Sequence, residues 1–73
     1  MKIMKVSVII PARDEEKTIG PLIERIFKVI PGTEVIVVDD HSVDKTAEIV
    51  KKLQKKYNSL YLVKKKGPIG KTT

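Results

Sequence analysis

Two short stretches concentrate the side chains able to do chemistry: Pro11-Ala12-Arg13-Asp14-Glu15-Glu16 and Asp39-Asp40-His41-Ser42-Val43-Asp44. Carboxylates in such a setting accept hydrogen bonds from a base N–H or a ribose hydroxyl, and loop amides supply donors. The residue types therefore support recognition of a polar ligand. They contain no Asp-x-Asp metal motif and no general-base candidate. The chain has no cysteine, and His41 is its one histidine, so neither disulfides nor a structural metal is expected to staple it.

The elements that must position these stretches follow from apolar spacing. Lys5 to Ile10 reads as a strand, because Val6, Val8, Ile9 and Ile10 form a nearly continuous apolar run suited to a parallel sheet. Pro11 is expected to end it by removing a ladder donor. Ile19, Leu22, Ile23, Ile26, Phe27 and Ile30 recur at helical offsets, with Thr18 as N-cap, Pro21 in the first turn and Pro31-Gly32 as the stop. Val35 to Val38 is a second β-branched strand. A second helix is expected from about Asp44 to Lys56, with Ala47, Val50, Leu53 and Tyr57 on one side. Asn58-Ser59 turns the chain into a third strand, Leu60 to Val63, and residues 64–73 read as a basic loop or disordered tail.

The order β-α-β-α-β implies an α/β fold with a three-stranded parallel sheet and right-handed crossovers. Both crossovers stepping the same way put both helices on one face. The other face is then bare and strand one is an open edge, which invites pairing. A homo-oligomer through strand one or the bare sheet face is the expected consequence, unless more chain belongs here. Both loops of interest fall at the carboxyl ends of strands, where open parallel sheets bind ligands.

Bulk properties narrow the classes. At 73 residues the chain is one small domain or a piece of a larger one. Its net charge is +6, but Lys51, Lys52, Lys55 and Lys56 fall where a helix faces water. Three aromatics are too few for a base-stacking platform, so no nucleic-acid partner is expected. No stretch approaches the roughly 20 apolar residues of a membrane span. The start of the chain lacks a small-residue cleavage site and runs at once into Arg13-Asp14-Glu15-Glu16, unlike a signal peptide. A cytoplasmic location fits the absence of cysteine. Abundant Lys, Glu, Ile and Val with one Asn and one Gln suits a thermophile.

"VSVIIPARDEEKTIG" followed by "EVIVVDDHSVDKTAEIVKKL" resembles the start of inverting family 2 glycosyltransferases of the GT-A fold, most closely the dolichol-phosphate mannosyltransferase group. The resemblance covers residues 5–63 and implies that residues 1–73 form one partial, Rossmann-like domain, the N-terminal part of a GT-A unit. It implies that Pro11 and Arg13 line the base and ribose pocket, with Arg13 standing where an aromatic is frequent and offering a planar guanidinium instead. Glu15 matches an acidic residue that reaches the nucleoside, and Asp14 replaces the usual Asn before it. Asp40 takes the base N–H, Asp39 holds the loop, and Ser42 with Asp44 matches an "S-x-D" that shapes the turn and caps the next helix. His41 stands where Gly is common. Gly70-Lys71 resembles a turn of the same group after strand three.

For the parent enzyme the resemblance implies transfer of a hexose from GDP- or UDP-hexose to a lipid phosphate or a sugar hydroxyl, with work at the inner face of the membrane. A divalent metal, Mg or Mn, is implied for the full-length enzyme, with ligands outside this chain. These 73 residues alone are expected to be inactive. Plainer readings stand beside these: Glu15 and Glu16 also suit a helix N-terminus, Asp44 a cap, Asp39-Asp40 a strand-end turn, and His41 a solvated loop. A non-catalytic nucleotide-binding or self-assembling fragment remains an alternative. "GPIGKTT" fails as a P-loop, because the required Gly five places before Gly70 is Lys65. A receiver-like domain is remote: its acidic pair follows the first strand, whereas here a strand-helix unit precedes it.

Overall fold

The computed structural model describes residues 6–66. Its elements run β1 (Ser7–Ala12), α1 (Ile19–Val29), β2 (Glu34–Asp39), α2 (Thr46–Gln54) and β3 (Leu60–Lys64). The three strands form one parallel sheet in the order β1-β2-β3. This is the α/β, partial Rossmann-like arrangement that the apolar pattern predicts. The Gly70-Lys71 turn, the failed P-loop stretch and most of the expected tail lie outside the described residues.

Each strand shows one face to the helices. Ile10, Ala12, Val35, Val37 and Leu60 are buried there with Ile19 and Ile23 of α1 and Val50 of α2. Val8, Ile26, Phe27, Ile49, Leu53, Tyr57 and Leu62 pack around that centre. The register aligns Ile9 with Ile36 and Tyr61, and Pro11 with Val38 and Val63, on the opposite face. No helix covers that face among the described residues: Ile9 is 64% exposed, Tyr61 45% and Val63 48%.

Four local expectations are corrected. β1 continues through Pro11, paired with Val38, to Ala12, paired with Asp39. Glu34 N–H donates to Val6 O and Asp40 N–H to Ala12 O, so the even residues of this edge strand face β2. Pro11 turns its missing donor to the unpaired side, where no ladder is lost. Thr18 precedes α1, but its hydroxyl donates to the Glu15 carboxylate at 2.9 Å rather than capping a helical amide. α2 is shorter than expected, Thr46 to Gln54, because the chain at 40–45 is held in a loop by contacts described below. β3 extends through Lys64, opposite Asp39.

Helix α1 does end where Pro31-Gly32 requires, with Gly32 at φ 88°, a conformation L side chains rarely adopt. Thr33, buried just after it, donates to Val6 O at 2.7 Å and ties the turn to β1. At the other end of α2, Tyr57 stacks on Phe27 with ring centroids 4.2 Å apart and gives its hydroxyl hydrogen to Glu24. That bond, then Lys56 at 3.1 Å, holds the Glu24 carboxyl below its ordinary range. The helix pair is thus fixed relative to itself as well as to the sheet.

Candidate functional site

β1 and β2 end side by side, so the two charged loops leave the sheet as neighbours. Five hydrogen bonds then cross between them. Asp14 N–H donates to Ser42 Oγ at 2.9 Å, and Val43 N–H returns a bond to Asp14 Oδ1 at 2.8 Å. Glu15 N–H donates to Thr46 Oγ1 at 2.8 Å. Glu16 N–H donates to Asp44 Oδ2 at 3.1 Å, and Lys45 N–H to Glu16 Oε1 at 3.0 Å. The loops clasp each other reciprocally, each giving amides and receiving them. α2 starts at Thr46, immediately after the segment that this clasp holds in the loop.

Thr46 is the hub. It is fully buried, accepts from Glu15 and donates its hydroxyl to Asp44 Oδ1, which also accepts the Thr46 amide at 2.9 Å. Asp44 therefore serves the start of α2 as the resemblance implies, although Lys45 is the formal cap residue. Partial burial pushes the Asp44 carboxyl up, but the Thr46 hydroxyl, the Thr46 amide and the Glu16 amide outweigh it and leave it below the usual aspartate value. Thr46→Val keeps the shape but not the hydroxyl, so the Glu15 amide loses its acceptor and Asp44 Oδ1 keeps only one of its two donors from residue 46. Urea unfolding should show a loss of about 1–3 kcal/mol, with Thr46→Ser restoring most of it; an unchanged midpoint for the valine variant would dismiss the clasp.

The six residues expected to bind nucleotide fall as follows. Asp39 is buried at the end of β2, where its Oδ1 accepts Ser42 N–H at 3.2 Å and its carbonyl accepts Lys65 N–H. Asp40, next in line, keeps 35% of its side chain exposed and has His41 Nδ1 2.9 Å from its Oδ1. The His41 hydrogen bond lowers the Asp40 carboxyl most; partial burial opposes it, and the charges of Lys65, His41 and Arg13 lower it further. Arg13 is exposed and close enough to act electrostatically on Asp40. Ser42 is occupied by the clasp. Pro11 of β1 and Glu15 of the loop after it line a cavity of about 170 Å³ shared with Ala12, Thr18 and Leu22. The Glu15 carboxylate is turned to Thr18.

The structure thus brings Arg13 within electrostatic reach of Asp40, whereas Pro11 and Glu15 line a small cavity that neither of those residues lines. A larger hollow, about 690 Å³, lies along α1 and Tyr57 and is lined by none of these residues; its Glu24 is already engaged by Tyr57 and Lys56. The position of the loops at strand carboxyl ends, not hollow size, marks the site. Among the described residues no three His, Cys, Asp or Glu side chains are grouped to hold a metal ion. The described residues therefore do not fit a metal. No helix among the described residues is long and apolar enough to cross a membrane.

Asp14, Glu16 and Thr46 were not singled out as partners by the sequence, and neither was Lys65. Each acts across 25 or more positions, and no local spacing reports such a contact.

A parallel α/β sheet with two charged loops at the carboxyl ends of its strands has the layout in which open α/β sheets bind ligands. The chain belongs to glycosyl transferase family 2, whose family pattern matches residues 7–72. It is 46% identical over 57 residues to the 4,4'-diaponeurosporenoate glycosyltransferase of Staphylococcus haemolyticus, a match covering 77% of this chain and 15% of the relative. It is 45% identical over 56 residues to the dolichol-phosphate mannosyltransferase of Pyrococcus furiosus, covering 74% and 16%. With the poly(ribitol-phosphate) beta-N-acetylglucosaminyltransferase of Staphylococcus aureus it shares 47% over 58 residues, covering 75% and 10%. The matched segment is therefore 10–16% of the length of these relatives.

Proposed function

We propose that this chain supplies the nucleoside-binding part of a glycosyltransferase that transfers a hexose from GDP- or UDP-hexose, and that the 73 residues alone do not catalyse transfer. The observation that carries the reading is the clasped loop pair at the ligand edge of the sheet, together with Asp40, whose carboxyl its His41 hydrogen bond holds below the ordinary range and on which Arg13 acts by charge. An ionised carboxylate accepts a base N–H; a guanidinium stacks on a ring or meets a phosphate.

The relatives' names support assignment to the donor rather than the acceptor. They specify a diaponeurosporenoate, a dolichol phosphate and a poly(ribitol phosphate), three chemically unlike acceptors. A segment shared by all three at 45–47% identity serves what they have in common, which for glycosyltransferases is the activated sugar donor. Within this proposal the acceptor of the parent is a lipid phosphate or sugar hydroxyl, met at the inner face of the membrane, and the divalent metal that neutralises the leaving diphosphate is held by residues outside this chain.

A two-dimensional amide NMR titration of the 73-residue chain with GDP and UDP tests the proposal. The expected result is a set of shifts confined to Arg13–Glu15 and Asp40–Ser42, unchanged by magnesium. A well-dispersed spectrum indifferent to both nucleotides would overturn it.

A further inference from the structure

Two non-glycine residues among those described have positive φ: Asp14 at 53° and His41 at 59°. Such a conformation is costly for L side chains, and an outlier of this kind is a reason to look for function. Both residues lie in the two clasped loops. Asp14 is accounted for, since its carboxylate and its amide both bond the opposite loop. His41 sets its ring against its own neighbour, with Nδ1 2.9 Å from Asp40 Oδ1. A carboxylate only accepts, so the hydrogen bond requires the proton on Nδ1.

We propose that His41 is a positioning residue for ligand binding: its Nδ1–H grips one oxygen of Asp40 and thereby orients the carboxylate so that the remaining lone pairs of both oxygens face the base. The inference rests on the nucleoside-binding reading above and adds to it the group that sets the geometry of the acceptor. Asp40 has two rotatable side-chain bonds and is anchored only through its backbone, by its amide on Ala12 O. Without a partner its carboxylate samples several directions at the loop tip; with His41, whose side chain is 23% exposed, it is held before the ligand arrives. Preorganisation of this kind raises affinity by removing an ordering cost from the binding step. Arg13 and Lys65 also act on Asp40, but through charge, which fixes no direction.

The resemblance to family 2 enzymes makes glycine the ordinary occupant of this position, which sharpens the test. His41→Gly suits the backbone better than histidine does, yet deletes the donor. His41→Asn retains both, because asparagine tolerates positive φ and its Nδ2–H₂ falls close to where Nδ1 stands. Thermal melts, the pH titration of the Asp40 carboxyl carbon by NMR, and GDP and UDP affinities should be measured on the 73-residue chain and both variants. The glycine variant is expected to melt at the same or a higher temperature, to titrate Asp40 at higher pH, and to bind nucleotide about 3- to 10-fold more weakly; the asparagine variant should return both Asp40 and affinity toward wild type. A residue that is merely structural would move stability and affinity together, not in opposite directions. Wild-type affinity in the glycine variant, or no rescue by asparagine, overturns this inference alone. A wild-type chain that binds neither nucleotide overturns the function above and this inference with it.

Discussion

Ile23→Ala is expected to leave the chain largely unfolded at physiological temperature. Ile23 is fully buried at the centre of the α1 stripe, among Ile10, Val35, Val37 and Val50. Removing its three outer carbons forfeits the transfer free energy of those groups and leaves a cavity walled by β-branched side chains that have little freedom to close it. Such truncations cost about 2–5 kcal/mol. A domain of this length has roughly 4–11 kcal/mol in all, and no helix among the described residues covers the second sheet face. Circular dichroism during urea titration checks the expectation. The wild type should unfold cooperatively, and the variant should lose half or more of that free energy. A midpoint within experimental error of wild type would mean that the core is not where the structure puts it.

The core was legible in the sequence because helical spacing and strand runs are local patterns. Ile19 and Ile23 sit at offsets 0 and 4 of the stripe, and both are fully buried. The limits of the stripe were not legible. Leu22 and Ile30 belong to the same pattern yet are 42% and 39% exposed, because α1 is flanked by one helix only and its outer edge overhangs. The strands show a similar limit. Ile9 and Ile10 are consecutive and equally apolar, but 64% and 9% exposed. An unbroken apolar run cannot say which side is covered; crossover handedness can, and it put both helices on one face.

The site divides along the same line. Its place at the strand ends followed from topology, and its six candidate residues from family resemblance. The clasp was not accessible to either. Asp14 reads as a departure from an expected Asn, Glu16 as a helix-start acid, and Thr46 as an ordinary helix residue. Only when β1 and β2 are set in register does residue 14 meet 42 and 43, 15 meet 46, and 16 meet 44 and 45. Thr18 failed as a cap for a related reason. Glu15, whose own amide is taken by Thr46, leaves its carboxylate near the Thr18 hydroxyl and captures it.

Asp40→Asn should separate the two possible bases as well as test the site. The carboxylate is held ionised by His41, Lys65 and Arg13, so it presents acceptors only. Guanine offers two adjacent donors, the ring N1–H and the exocyclic amine, and a carboxylate satisfies both. Asparagine satisfies one and opposes the other with its own N–H₂, so GDP affinity should fall by about tenfold to a hundredfold, the scale of a lost charge-assisted hydrogen bond. Uracil offers one donor, N3–H, beside a carbonyl acceptor. The amide of asparagine matches that pair, and UDP affinity should change less than about threefold. Asp40→Ala, which removes every acceptor, should weaken either nucleotide by about tenfold or more, while the amide bond to Ala12 O and the clasp keep the fold in place. Calorimetric titration of wild type and both variants reads out the base from the pattern of losses. Full retention of binding in Asp40→Ala, with an unchanged melting temperature, would remove Asp40 from the site and return these loops to a structural role.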